Sequence, residues 1–194
     1  PIMAQSIEVL ILAAGAASRF GSAKQLISYH GKPLLQHCID KANAICLGRV
    51  SVVLGANREQ IEPQISGAKI IHNNHWQQGL GASIATGVAS IDHHSNGLLI
   101  LLADQITLTT EDLKLLLDAF DGSNTVSAYY AGRRGVPAIF PQSLYADLTA
   151  LSGDSGAKAV LQRGDISLVE IDLPQAVMDI DTPEDWAQFL DSIQ

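Results

Sequence analysis

Apolar positions in this chain follow two rhythms. Short, nearly unbroken apolar runs stand at 7–12, 50–54 and 98–102, and each gives way to small or turn-forming residues. Strands look like this when both faces of a parallel sheet are covered. A further strand is read at 68–72. Between these runs the spacing changes to three and four. Over 33–44, Leu34, Leu35, Cys38, Ile39 and Ala42 fall on one side of a helix. Segments 58–65 and 83–91 also read as helices, the second rich in small residues. Thr109 or Thr110 caps another, with Glu111 and Asp112 in its first turn and Leu113, Leu116, Leu117 and Phe120 on its core face.

Strands alternating with helices predict a doubly wound α/β fold, a single three-layer domain around a mostly parallel sheet. The later part is less regular. Segments 125–130 and 136–140 read as strands joined by a turn at 131–135. Helices are expected at 142–151 and 157–163, and short strands at 168–171 and 177–180. A closing helix spans 183–193, with Thr182 as its cap, Pro183 at its first position, and Glu184 and Asp185 in its first turn. No linker, repeat or low-complexity segment interrupts the 194 residues.

Composition narrows the function classes. Hydrophobic residues make up 47% and charged residues 16%, which a packed domain needs and a disordered chain lacks. The net charge of -8 argues against a nucleic-acid partner. A small anionic ligand would therefore need its own local cations. No apolar run approaches the roughly 20 residues that cross a bilayer, so no membrane partner is expected. Segment 6–14 lacks the basic start and cleavage site of a signal peptide, and a cytoplasmic location follows as the expectation. Met3 reads as the natural start, with Pro1-Ile2 added before it. Cys38 and Cys46 match neither a disulfide framework nor a zinc pattern and read as buried thiols. His72-x-x-His75 and His93-His94 read as solvated loop residues rather than metal ligands.

In an open α/β sheet, ligands sit at the carboxyl ends of the strands. The first such place is Leu12-Ala13-Ala14-Gly15-Ala16-Ala17-Ser18-Arg19-Phe20-Gly21-Ser22-Ala23-Lys24. Gly15 and its small neighbours let backbone N–H groups approach a phosphate. Arg19 can fork onto two phosphate oxygens, and Lys24 adds a point charge. The segment is neither a P-loop nor the dinucleotide fingerprint. By composition alone it could equally be a surface loop with two solvated charges. Asp104 follows the run 98–102 and should project from the carboxyl end of that strand. Asp179 and Asp181 face one side only if their segment is extended. Taken singly, Asp104 could simply begin a turn, and Asp181-Thr182-Pro183 is also an ordinary helix start.

Several motifs bear on that choice. L-A-A-G-x-x-x-R-F-G-x-x-K-x-L, from Leu12 to Leu26, resembles the signature loop of the MobA-like nucleotidyltransferase family. Gly79-Leu80-Gly81-Ala82-Ser83-Ile84-Ala85-Thr86-Gly87 is similar to a segment of its molybdenum cofactor cytidylyltransferase (MocA-like) branch. Leu102-Ala103-Asp104-Gln105 resembles the branch's metal-site turn. Gly135-Val136-Pro137-Ala138-Ile139-Phe140 and Leu151-Ser152-Gly153-Asp154-Ser155-Gly156-Ala157-Lys158 resemble its second-substrate region, and Asp179-Ile180-Asp181-Thr182-Pro183 its closing motif. The motifs run in the family's order over nearly the whole chain.

The resemblance implies a nucleotide-diphospho-sugar transferase-like domain spanning 1–194. Its NTP-binding part would be about 6–120 and its acceptor-binding part about 121–182, with the closing helix at 183–193. It implies a nucleotidyltransferase that uses Mg²⁺ or Mn²⁺. Leu12, Ala13, Ala14, Gly15, Arg19, Lys24, Gly81, Ser83 and Asp104 would bind the nucleotide. Arg19, Lys24 and Asp104 would serve catalysis, and Asp104, Asp179 and Asp181 would hold the metal, whose preference for hard oxygen ligands they suit. Gln105, Pro137, Gly153, Asp154, Ser155 and Gly156 would meet the acceptor, with Gly81, Ala82 and Ser83 at a helix start as a further phosphate or ribose contact. Cytidylyl members carry Leu-Ala-Ala-Gly where guanylyl members carry Leu-Ala-Gly-Gly, so Ala14 points to CTP. The acceptor implied is molybdenum-bound pterin phosphate, with a sugar or polyol phosphate as alternative. The product would pass to a molybdenum hydroxylase or its insertion chaperone. A carrier that binds the pterin without turnover is the reading from another class. The chain departs from the branch at Ile106, where proline is usual, so the turn behind Asp104 is expected to be looser.

Overall fold

The computed structural model describes residues 5–16, 23–177 and 179–193. Strand β1 (Ile7–Ala13) lies inside a seven-stranded sheet. A two-strand hairpin, β2 (Ser28–Tyr29) and β3 (Lys32–Pro33), precedes helix α1 (Leu34–Ile45). Strand β4 (Val50–Leu54), short helix α2 (Arg58–Ile61) and strand β5 (Lys69–His72) follow. Then come helix α3 (Leu80–Ser90), strand β6 (Gly97–Leu102) and helix α4 (Thr110–Ala119). Strands β7 (Thr125–Tyr130) and β8 (Arg133–Pro141) lead to short helices α5 (Tyr145–Thr149) and α6 (Lys158–Leu161). Strand β9 (Leu168–Asp172) and helix α7 (Pro183–Ser192) end the order.

The sheet runs β5-β4-β1-β6-β8-β7-β9. Pairings β1–β4, β1–β6, β4–β5 and β7–β9 are parallel, and β8 runs against both of its neighbours. Alternation along β1 builds two cores. Val9 and Ile11 face one side with Leu35 and Ile39 of α1 and Leu113 and Leu116 of α4. Leu10 and Leu12 face the other with Ile84 and Val88 of α3, Leu148 of α5 and Leu161 of α6. Each such side chain contributes about 1.5–3 kcal/mol by leaving water. The predicted mostly parallel, three-layer α/β domain is the one that forms.

Three local expectations are corrected. Among the described residues of 177–180, no strand forms. A 3-10 turn (Pro174–Val177) stands there, and the Ile180 N–H donates to the Asp104 carbonyl rather than to a ladder. The turn read at 131–135 is only Ala131-Gly132, with φ of 52° and 77°, so β8 starts at Arg133, three residues earlier than read. Helix α3 starts at Leu80 rather than 83, because Gly79 takes a φ of 108° that turns the chain into it.

Helix α4 begins with a reciprocal cap. The Asp112 N–H donates to Thr109 Oγ1 at 3.1 Å, and the Thr109 N–H donates to Asp112 Oδ2 at 2.9 Å. Replacing Thr109 with alanine should cost about 1 kcal/mol in urea unfolding. A midpoint unchanged from the wild type would show that solvent caps the helix equally well.

Candidate active site

The carboxyl ends of β1 and β6 open into a cleft of about 290 Å³. The backbone of 12–16 forms one wall. Lys24, Gln25, Trp76, Ser83, Asp104 and Ile180 are among the residues that line the rest. The wall is pinned by its own backbone: Ala56 N–H donates to the Ala14 carbonyl and Ala103 N–H to the Leu12 carbonyl. Buried Gln25 adds a side-chain clamp, donating from Nε2 to the Ala13 carbonyl at 3.2 Å and the Gly15 carbonyl at 3.4 Å. Among the described residues, a Cβ on Gly15 would meet nothing within 4 Å, so packing against them does not account for glycine there. Gly55 is different: a Cβ would strike the Trp76 side chain, which lines the cleft.

The cleft holds a charge cluster. Lys24 Nζ lies 2.9 Å from Asp104 Oδ2 and 3.2 Å from Asp181 Oδ1. Burial opposes the Lys24 charge, but the two carboxylates outweigh it and hold the ammonium above its ordinary pKa. Asp179 sits behind them. Burial, then the charges of Asp104 and Asp181, push its carboxyl up to about 7. Asp104 Oδ1 and Asp179 Oδ1 are buried with no hydrogen-bond partner among the described residues. The two orphaned carboxylate oxygens are hard donors of the kind a divalent cation takes, with Lys24 now lying between Asp104 and Asp181. No group of three or more His, Cys, Asp or Glu is ready-made to hold a metal ion among the described residues.

Other expected site residues are placed differently. Gln105 is 5% exposed, and its Nε2 donates to the Val136 carbonyl at 3.0 Å and the Ala176 carbonyl at 2.9 Å. It ties the Asp104 turn to β8 and to the segment before Asp179, and offers no surface to an acceptor. Pro137 is buried within β8 and does not line the cleft. The Gly81 N–H, expected at a phosphate, donates instead to the Gly153 carbonyl at 2.8 Å. Ser83 lines the cleft but is nearly buried, and its Oγ accepts from Asn73 Nδ2 at 2.8 Å. Gly153, Asp154 and Ser155 are exposed beside the start of α3, with Gly156 half-buried. A Cβ on Gly79 would strike the Asp154 carboxylate and the Gly153 carbonyl, so the expected acceptor loop and the nucleotide cleft share one seam. Arg19 lies outside the described residues.

The turn at Ile106 is not loose. Lys41 Nζ donates to the Ile106 carbonyl at 3.1 Å, and Thr107 Oγ1 to the Gln175 carbonyl at 2.7 Å. Those bonds tie the turn to α1 and to the segment at Gln175. The roles of Gln25, Asn73 and Gln105 escaped sequence reading because each is set by partners distant in the chain. Both cysteines are free thiols, and burial pushes Cys38 up to about 12. His72 donates from Nε2 to Glu62 Oε2 at an exposed edge, 2.9 Å away. No helix among the described residues is long and apolar enough to cross a membrane.

Comparison with known proteins is consistent with this geometry. The MobA-like NTP transferase domain matches residues 9–168. The molybdenum cofactor cytidylyltransferase of Escherichia coli is 24% identical over 184 residues, covering 93% of this chain and 94% of that protein. The bifunctional protein GlmU of Chromohalobacter salexigens is 34% identical over 120 residues, but these are 60% of this chain and 26% of GlmU. Among solved structures, Rv0371c from Mycobacterium tuberculosis superposes with a TM-score of 0.85 at 23% identity, covering 97% of this chain and 100% of that one. A nucleotidyl transferase from Methanothermobacter thermautotroptrophicus gives 0.82 at 20%, covering 96% and 97%. At those identities the structures speak for the fold.

Proposed function

The chain belongs to the MobA-like NTP transferase family and is a nucleotidyltransferase of that type, and from this premise we propose that it transfers CMP from CTP to the phosphate of a molybdenum-bound pterin. The observation that carries the reading is the meeting of Lys24 and Asp104 in a cleft lined by residues 12–16, with Asp181 bonded to the same ammonium. The reaction needs an acceptor oxygen at the α-phosphorus. That oxygen forms the new bond, the bond from the α-phosphorus to the bridging oxygen breaks, and the electron pair leaves with pyrophosphate. A phosphate monoester has its second pKa near ~6 and is already anionic at neutral pH, so no protein base is required.

Positioning and charge are then what the protein supplies. Backbone amides along 13–16, fixed by Gln25 and Ala56, can reach the triphosphate where Gly15 leaves open space. Lys24 offers its ammonium to phosphate oxygens, and family resemblance adds Arg19 from the same loop. Asp104 and Asp181, with Asp179 behind, would hold Mg²⁺ or Mn²⁺, which when bound would offset charge gathering on the phosphates. Residues 152–156, packed on the start of α3, would present the acceptor. The product would pass to a molybdenum hydroxylase or its insertion chaperone.

The base preference rests on Ala14, which lines the cleft and is 3% exposed. A methyl there, in place of hydrogen, leaves less room for a purine. With Mg²⁺ and the molybdenum pterin present, pyrophosphate release should be at least about tenfold faster with CTP than with GTP, a difference within the 1–3 kcal/mol that small pocket changes provide. Strong preference for GTP would sink the base assignment. Faster turnover of a sugar or polyol phosphate would move the acceptor. Pterin binding without pyrophosphate release would leave a carrier.

A further inference from the structure

Lys24 has two claims on its one ammonium group. Resting on the transferase reading, a triphosphate needs it. In the structure it lies instead between Asp104 Oδ2 and Asp181 Oδ1, at 2.9 and 3.2 Å, and its side chain is 16% exposed. Those are oxygens a divalent cation at these aspartates would use. Two further oxygens, Asp104 Oδ1 and Asp179 Oδ1, are buried without hydrogen-bond partners among the described residues. The pocket is therefore rich in carboxylate and contains a single described ammonium that touches two of its members.

We infer that Lys24 is the resting counter-ion of Asp104 and Asp181, withholding the divalent-cation site until a nucleoside triphosphate draws the ammonium away. A cation arriving alone must displace a half-buried ammonium and leave it with no new partner. An incoming triphosphate supplies that partner, because its oxygens replace the carboxylates on Lys24. Metal and nucleotide then bind with positive coupling, and the coupling is reciprocal. The device also separates two roles that a phosphate-binding lysine does not combine by necessity. A lysine that only meets phosphate occupies no carboxylate oxygen in the absence of nucleotide and acts on the metal only through weaker long-range repulsion. This lysine lowers metal affinity directly.

The test measures free Mn²⁺ by electron paramagnetic resonance against the full chain, with and without CTP. Without nucleotide, the wild type and Lys24→Arg should bind Mn²⁺ weakly, while Lys24→Met should bind it about tenfold more tightly, a typical size for such coupling. CTP should tighten Mn²⁺ binding to the wild type and do so much less for Lys24→Met, whose own CTP affinity falls. Equal nucleotide-free Mn²⁺ affinity in wild type and Lys24→Met overturns the inference. Lys24→Gln, polar and neutral, repeats the measurement if the methionine variant does not fold, as judged by circular dichroism. A second readout uses the wild type alone. The Lys24 Nζ resonance in a ¹⁵N-lysine spectrum should stay in place with Mg²⁺ and move when CTP joins it. Movement with Mg²⁺ alone overturns the inference as well. Failure of the transferase reading would show separately, as no CTP-dependent pyrophosphate release by the wild type.

Discussion

Replacing Asp104 with asparagine should lower CTP-dependent pyrophosphate release by about a hundred- to a thousandfold, the usual loss when one group that stabilises developing charge is removed. The substitution keeps the shape of the side chain and removes its charge. The backbone should hold, because Asp104 is fixed through its carbonyl, which accepts the Ile180 N–H, and through its neighbour Gln105, clamped on Val136 and Ala176. The loss should therefore appear in kcat with little change in unfolding midpoint. Lys24 would lose its nearer carboxylate at the same time, so its response to nucleotide should also weaken. Near-normal turnover in Asp104→Asn would remove Asp104 from the reacting centre, whatever the other aspartates do.

Gly81→Ala should be strongly damaging although it lies outside the charge cluster. Gly81 lies in the first turn of α3, where its N–H donates to the Gly153 carbonyl. An added methyl would strike the Ser155 carbonyl and lie 2.7 Å from the Ser152 carbonyl and 3.0 Å from that of Gly153. These are backbone atoms, which cannot rotate out of the way as a side chain can. The helix start and the loop must part, at about 2–3 kcal/mol for overpacking of this kind. Because the seam joins the nucleotide cleft to the acceptor loop, KM for the acceptor should rise more than KM for CTP. Equal effects on both, or none on either, would show that the seam is only packing.

The sheet's parallel half was legible because β1, β4 and β6 are covered on both faces, and continuous apolar runs are the sequence form of that burial. Position 180 misled for the opposite reason. Ile180 is wholly buried, yet it is buried by packing behind Asp104 and not by joining a ladder. The start of β8 was hidden because Arg133-Arg134-Gly135 has the look of a turn, while the actual turn puts Ala131, a residue with no preference for it, at positive φ. Within the site, Lys24 and Asp104 stood out through the motifs that contain them. That they touch each other depends on a separation of 80 positions being closed by the fold, and no local pattern records it. The family resemblance implied a substrate contact at Gln105, but burial turns its amide inward.

Strand β8 has a consequence for synthesis of the chain. It is the one reversed strand, and it is inserted between β6 and β7 rather than added at the rim. Until Arg133–Pro141 has been made, β6 lacks one of its two neighbours. Its Leu-Leu-Ile-Leu-Leu run then borders an open row of backbone donors and acceptors, the kind of edge that pairs with other chains. A fragment ending near residue 124 would thus keep every cleft residue contributed by β1, α3 and β6 and still be prone to aggregate. The later segment is the closure that makes the earlier one safe in solution, so the two are expected to become protease-resistant together as the chain leaves the ribosome.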